Sequence, residues 1–218
     1  MQPEIPIGLI LLGIFWTLIS YSFLRILPPP RGTPENFYSP LLRPTAYTRV
    51  SLLSLISLGL TALAPEQHRP LWWVLATSFS ILVWIDHQTM FLPRTLQISG
   101  LMQLLLALFV CWFWLGLPSQ DSLRALMGGT IAYLVFLAIW WFGKGALGFG
   151  DVRLAGSLFL VAASHSWEFW WTSLFMSAVF GTGWAFVKGR RGQQFPYGPA
   201  LYLGVFSTLL LYRLTDGS

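Results

Sequence analysis

Thr95-Leu-Gln-Ile-Ser-Gly-Leu-Met-Gln-Leu-Leu-Leu-Ala-Leu-Phe-Val-Cys-Trp-Phe-Trp-Leu-Gly-Leu117 runs for twenty-three residues without a charged side chain. At about 1.5 Å per residue a helix of that length crosses the roughly 30 Å hydrocarbon core of a bilayer. On either side lie further apolar runs, at 71–86 and 124–143, and beyond them runs at 6–27, 50–64, 152–164, 169–187 and 199–212. Backbone polar groups in lipid must be satisfied within the segment, so each run reads as a helix and not a strand. The expected fold is therefore all-α, a polytopic membrane protein with about eight transmembrane helices.

Composition agrees. Of 218 residues, 55% are hydrophobic and 10% charged, with twelve Trp, and the mean hydropathy is +0.63, which excludes an ordinary soluble domain. Eight spans use nearly the whole chain, so residues 1–218 read as one membrane-embedded domain with a short basic loop at 28–49. The first run is followed by Arg25 and lacks a small-residue cleavage signature, so it reads as a retained anchor. The net charge of +5 comes from Lys and Arg dispersed at span ends, which suggests membrane topology and no nucleic-acid partner. With the N-terminus outside, ten of them (Arg25, Arg31, Arg43, Arg49, Arg94, Lys144, Arg153, Lys188, Arg190, Arg191) fall in cytoplasmic loops. Only Arg69, Arg124 and Arg213 fall outside, as the positive-inside rule prefers. The basic loop at 188–199 reads as a topology determinant that would also attract anionic lipid. The loop at 28–49, with Pro34, Pro40 and Pro44, is expected to be an extended segment on the membrane surface.

Two ionisable residues stand where apolar runs meet their loops: Asp86, and Asp151 at the end of Gly148-Phe149-Gly150-Asp151. A charge at membrane depth costs on the order of 2.5 to 3.5 kcal/mol on insertion scales, so its default reading is functional. If the two converge, mutual repulsion in a low dielectric leaves one proton shared between them. The ionised member can then take a proton from water while the neutral member hydrogen-bonds a peptide carbonyl, which is the asymmetry that peptide hydrolysis needs. Gly148 and Gly150 would let the backbone turn sharply and let an extended substrate approach. Pro93 would end one turn and start the next helix. Lys144 and Arg153 flank the glycine loop as substrate contacts, modulators of Asp151 or cytoplasmic anchors.

The remaining polar residues read more plainly. Cys111, the single cysteine, is a packing residue and excludes a disulfide or thiolate site within one chain. His87 neighbours Asp86 but points elsewhere on a helix. His68 and His165 fall in external loops, far apart in sequence, and no metal is expected. Trp72, Trp73, Trp140, Trp141, Trp170 and Trp171 lie at run ends, as interface anchors do.

At the aspartates the sequence resembles the prepilin peptidases, membrane aspartic proteases carrying a Gly-x-Gly-Asp motif. Gly148-Phe149-Gly150-Asp151-Val152-Arg153-Leu154 is close to that family's Gly-x-Gly-Asp-Phe-Lys-Leu, with Arg153 in place of Lys. Ile85-Asp86, followed by six residues and Pro93, with Leu96 beyond, matches the spacing of its first motif, where Arg94 replaces an Asp. Pro196-Tyr197-Gly198-Pro199 is similar to its Phe-Gly-Pro stretch. The likeness covers about 71–212, and it tilts toward the bacterial branch over the archaeal preflagellin peptidases. It implies Asp86 and Asp151 as the catalytic pair and a bacterial inner-membrane location. The implied substrate is a type IV prepilin or pseudopilin of a pilus or type II secretion system, cut after its short basic leader at the cytoplasmic membrane boundary. Relatives commonly carry a zinc-binding loop of paired Cys-x-x-Cys motifs that this chain lacks, so zinc is not expected. No cofactor is expected either; S-adenosylmethionine would be needed only if the N-methyltransferase activity of many relatives were retained. A proton-coupled transporter or channel using the aspartates as relay sites is the other reading, although it would place acids nearer mid-span and show paired broken helices.

Overall fold

The computed structural model describes residues 7–30, 33–143, 147–188 and 196–216, and among these the chain is helical, without a strand. Helix α1 spans Ile7–Ser22 and α2 spans Pro44–Leu60. Helix α3, Arg69–Val74, passes through a π-helical stretch at Leu75–Phe79 directly into α4, Ser80–Thr89. There follow α5, Arg94–Phe113; α6, Ser119–Phe142; α7, Phe149–His165; α8, Trp167–Lys188; and α9, Gly198–Asp216. Taking α3 to α4 as one rod, the described residues form eight rods. Three segments are long and apolar enough to cross a membrane, at Pro44–Leu63, Arg94–Phe113 and Ser119–Phe142, and a shorter apolar stretch covers Ile10–Arg25. Their outer faces carry Leu106, Phe113 and Phe142 at 64%, 65% and 80% exposure, a surface that lipid tolerates and water does not.

Helix α7 explains why one apolar run is short. Ala155, Leu158, Phe159, Val161, Ala162 and Ala163 are all fully buried, so this helix is enclosed by its neighbours and apolar on nearly every side. Helix α6 lies closest, because a Cβ added at Gly128 would stand 2.2 Å from that of Ala163 and one at Gly129 would stand 2.9 Å from the Gly156 carbonyl oxygen. Small residues permit this approach, which maximises dispersion contact where no hydrophobic effect operates between helices. Gly204 does the same for α8 and α9, where an added Cβ would meet Ser177 Oγ at 2.1 Å.

The π-helical stretch frees backbone carbonyls, and its neighbours meet them. Ser54 on α2 donates to the Ala76 carbonyl at 2.7 Å, and the Tyr202 hydroxyl on α9 reaches the Leu75 carbonyl at 3.2 Å and Ser57 Oγ at 2.8 Å. In lipid an unmet carbonyl is costly, so the irregular turn persists because other helices supply donors.

Several expectations are corrected. Helix α2 begins at Pro44 instead of residue 50, because proline fits the first helical position, where its missing N–H is no loss. The segment before it is folded and not merely extended: Tyr38 and Leu41 are buried, a short turn forms at Ser39–Leu42, and the Tyr21 hydroxyl donates to the Leu41 carbonyl at 2.7 Å. Trp72 and Trp170 are core residues and not interface anchors, at 0% and 2% exposure. Their indole N–H groups are satisfied internally, by His165 Nε2 at 2.8 Å and the Gly128 carbonyl at 3.2 Å, which is what allows a tryptophan to be buried. His68 and His165, expected in separate loops, stack with ring centroids 4.2 Å apart. His68 also bonds Ser164 Oγ at 3.1 Å, and Arg124 donates to the carbonyls of Ala163, Ser164 and His165, closing the C-terminal end of α7. Cys111 is buried and free.

Candidate active site

Asp86 sits in the last turn of α4, 3% exposed. Helix α4 stops three residues later, where Met90 takes a left-handed conformation, φ 52°, and donates its N–H to the Asp86 carbonyl at 2.8 Å. The Asp86 side chain reaches across to α9, where Oδ2 accepts the Gly198 N–H at 3.0 Å. Gly198 opens α9, so the carboxylate caps that helix and lies at the positive end of its dipole.

Asp151 occupies the first turn of α7, 7% exposed, with Oδ2 accepting the Gly148 N–H at 3.3 Å. Its Oδ1 is buried and has no hydrogen-bond partner among the described residues. The structure brings the segments that carry the two aspartates together: Leu154, one turn beyond Asp151, packs on the same Gly198 that Asp86 caps, 3.1 Å from an added Cβ. Two carboxylates at the N-termini of two helices, one with a free buried oxygen, can hold a water and present both a base and an acid to it.

The glycines act through space and not through unusual backbone angles. Gly148 has φ −73° and ψ 142°, ordinary extended values, so the sharp turn expected of it is not what it provides. A side chain there would press on Asp151 Oδ2 at 3.1 Å, and one at Gly150 would collide with Leu92 Cβ at 2.8 Å. Pro93 caps α5, accepting the Gln97 N–H at 3.1 Å. Arg153 lies one turn below Phe149, its guanidinium 5.0 Å from that ring. The His87 ring lies against those of Trp84 and Trp184. Lys144 lies outside the described residues, as do Arg31, Arg190 and Arg191 of the basic loops. Among the described residues no cluster of His, Cys, Asp or Glu fits a metal ion.

Three residues at the site have no role assigned by the sequence. Gln97 on α5 donates to the Gly150 carbonyl at 2.7 Å, tying the turn that carries Asp151 to the helix after Pro93. Gly198 supplies the amide for Asp86, and Tyr197 interacts electrostatically with Asp151. The only advance signal for the last two was the Pro-Tyr-Gly-Pro stretch, whose role no local pattern gives away.

A family model described as the type IV leader peptidase family matches residues 73–186, just over half of the chain. The matched segment contains both aspartates and ends before Gly198. Neither the curated proteins nor the solved structures give a match.

Proposed function

The chain belongs to the type IV leader peptidase family, and on that premise we propose that Asp86 and Asp151 are the catalytic pair of a membrane aspartic endopeptidase. Its substrates are type IV prepilins or pseudopilins, from which it removes the short basic leader. The observation that carries this is the burial of both carboxyl groups around the start of α9, where Asp86 caps Gly198 and Leu154, one turn beyond Asp151, packs on the same glycine, with Asp151 Oδ1 buried and without a hydrogen bond among the described residues.

The pair holds one proton. The ionised member takes a proton from water as the water oxygen attacks the scissile carbonyl carbon, and the neutral member donates a hydrogen bond to the carbonyl oxygen. When the C–N bond of the tetrahedral intermediate breaks, a proton passes to the leaving amine and the pair returns to its one-proton state. Capping by Gly198 and Gly148 holds both groups before substrate arrives, so little reorganisation is needed during reaction.

In this reading all eight rods cross the bacterial inner membrane with the N-terminus outside. The aspartates then lie at the cytoplasmic boundary, where a leader is cut without unwinding the hydrophobic stem behind it. Buried carboxylates at one end of two rods, and the excess of Lys and Arg in the loops on that side, support this placement. Gly148, Gly150, Pro93, Lys144 and Arg153 support the site or contact substrate. The reaction needs no cofactor or metal, and without a cysteine-paired loop we assign cleavage alone, with no S-adenosylmethionine-dependent methylation. Co-expression with a prepilin, followed by mass analysis of the product, tests this: the expected product lacks its leader and carries a free, unmethylated N-terminus. Uncleaved prepilin would refute the peptidase assignment, and a methylated product would refute the restriction to cleavage.

A further inference from the structure

Helix α6 packs closely along α7, whereas α5 touches both only sparsely. They leave between them a groove of about 290 Å³ whose walls include Ile98, Leu101 and Leu105 of α5, Leu126 of α6 and Leu160 of α7. Arg153 stands at one end of the groove. Seven residues separate it from Leu160, so the trough runs roughly 10 Å along α7. Arg153 Nε and Nη1 are buried and have no hydrogen-bond partner among the described residues. Arg94 opens α5, one turn ahead of Gln97 and Ile98, which line the same end of the groove as Arg153. The ion pairs among the described residues are Arg69 with Glu66 and Arg124 with Asp121, so no carboxylate there pairs with either arginine.

Two neighbouring cations, one of them with two buried donors that the described residues leave unmet, favour an anion that joins them. Water could satisfy the donors but would not fill an apolar trough. A ligand that meets both requirements has an anionic head with several acceptor oxygens and an apolar chain. We propose that this groove seats one anionic phospholipid, its phosphodiester bound by Arg153 and Arg94 and an acyl chain lying along α7. Guanidinium groups suit the task because they offer paired donors to phosphate oxygens and stay charged at any relevant pH. The lipid would brace α5 and α7, the two helices that Gln97 ties together at the Gly150 carbonyl. The assignment does not depend on the aspartates being catalytic.

Native mass spectrometry of the full-length protein, released from detergent containing equimolar phosphatidylglycerol and phosphatidylcholine, tests it. One phosphatidylglycerol should be retained about fivefold or more over phosphatidylcholine. Arg153→Gln should lower that retention about fivefold. Leu105→Trp, which fills the trough and leaves both charges in place, should lower it as well, whereas millimolar inorganic phosphate should not displace the lipid. Equal retention of the two lipids, or an adduct untouched by both substitutions, would overturn the proposal. So would displacement by phosphate alone. Absence of any retained lipid, with Arg153→Gln raising KM for a leader peptide bearing an acidic side chain, would assign the site to a substrate carboxylate and equally overturn it.

Discussion

Gly198 leaves the first carboxylate almost no room. Its N–H holds Asp86 Oδ2 at 3.0 Å, and a Cβ in its place would sit 2.7 Å from that same oxygen and 3.1 Å from Leu154 Cδ2. Gly198→Ala must therefore displace the Asp86 carboxylate or the start of α9. Since displacements near 1 Å in a catalytic group lower rates by about 100-fold, we expect a loss of roughly 10-fold to 100-fold in leader cleavage with normal membrane insertion. Unchanged kcat in that variant would show that Asp86 is not held where cleavage needs it. Asp86 and Asp151 were readable in the sequence because an acid at the edge of an apolar run is rare and expensive. Gly198 was not, because the group that matters is a backbone amide 112 residues from its acceptor, and every residue but proline has one. Gln97 was hidden for a different reason, since a lone amide inside a spanning run reads as tolerated polarity until its partner, the Gly150 carbonyl, is seen.

At the scale of elements, the α3 to α4 rod carries Asp86 past a π-helical stretch whose carbonyls are served by Ser54 and Tyr202. Tyr202→Phe removes the hydroxyl from both the Leu75 carbonyl and Ser57 Oγ. Leaving buried polar groups unpaired costs about 1–3 kcal/mol, which for a chain of this length lowers the melting temperature by roughly 2–4 °C per kcal/mol. A thermal melt in detergent checks this, and an unshifted midpoint would mean that the π-helical turn needs no outside donor. The existence of the helices was legible from apolar run length alone, whereas their irregularities were not. A run such as 71–86 looks the same whether its bonds close at i+4 or i+5. The start of α2 is hidden because the prolines of the preceding loop resemble breakers, although Pro44 acts as a helix starter. Trp72 and Trp170 misled in the same way, since sequence shows a tryptophan near a run end but not the acceptor that lets its indole be buried.

Across the whole molecule the two ends of the bundle differ in chemistry. The aspartates lie at the start of α7 and the stacked His68 and His165 at its far end, about 20 Å away for fourteen residues of helix. His68, in the turn Glu66–His68 ahead of α3, has its pKa lowered from 6.5 to about 4 by burial; the nearby Asp121 opposes this shift and Arg124 adds to it. The folded protein thus binds fewer protons there than the unfolded chain between about pH 4 and 6.5, so this contribution to stability is complete above pH 6.5 and declines as pH falls through that window. The change in melting temperature in detergent between about pH 8 and pH 4 should be less destabilising in His68→Gln than in the wild type, the two profiles running parallel near pH 7–8 and separating below about 6.5. An equally steep decline in that variant would remove His68 from the account. Leader cleavage by the two aspartate variants tests the proposed mechanism most directly. With a co-expressed prepilin, Asp86→Asn and Asp151→Asn should each reach wild-type abundance in the membrane and each lose at least ~100-fold in cleavage. Full processing by either variant would contradict a mechanism in which both carboxyl groups act on one water.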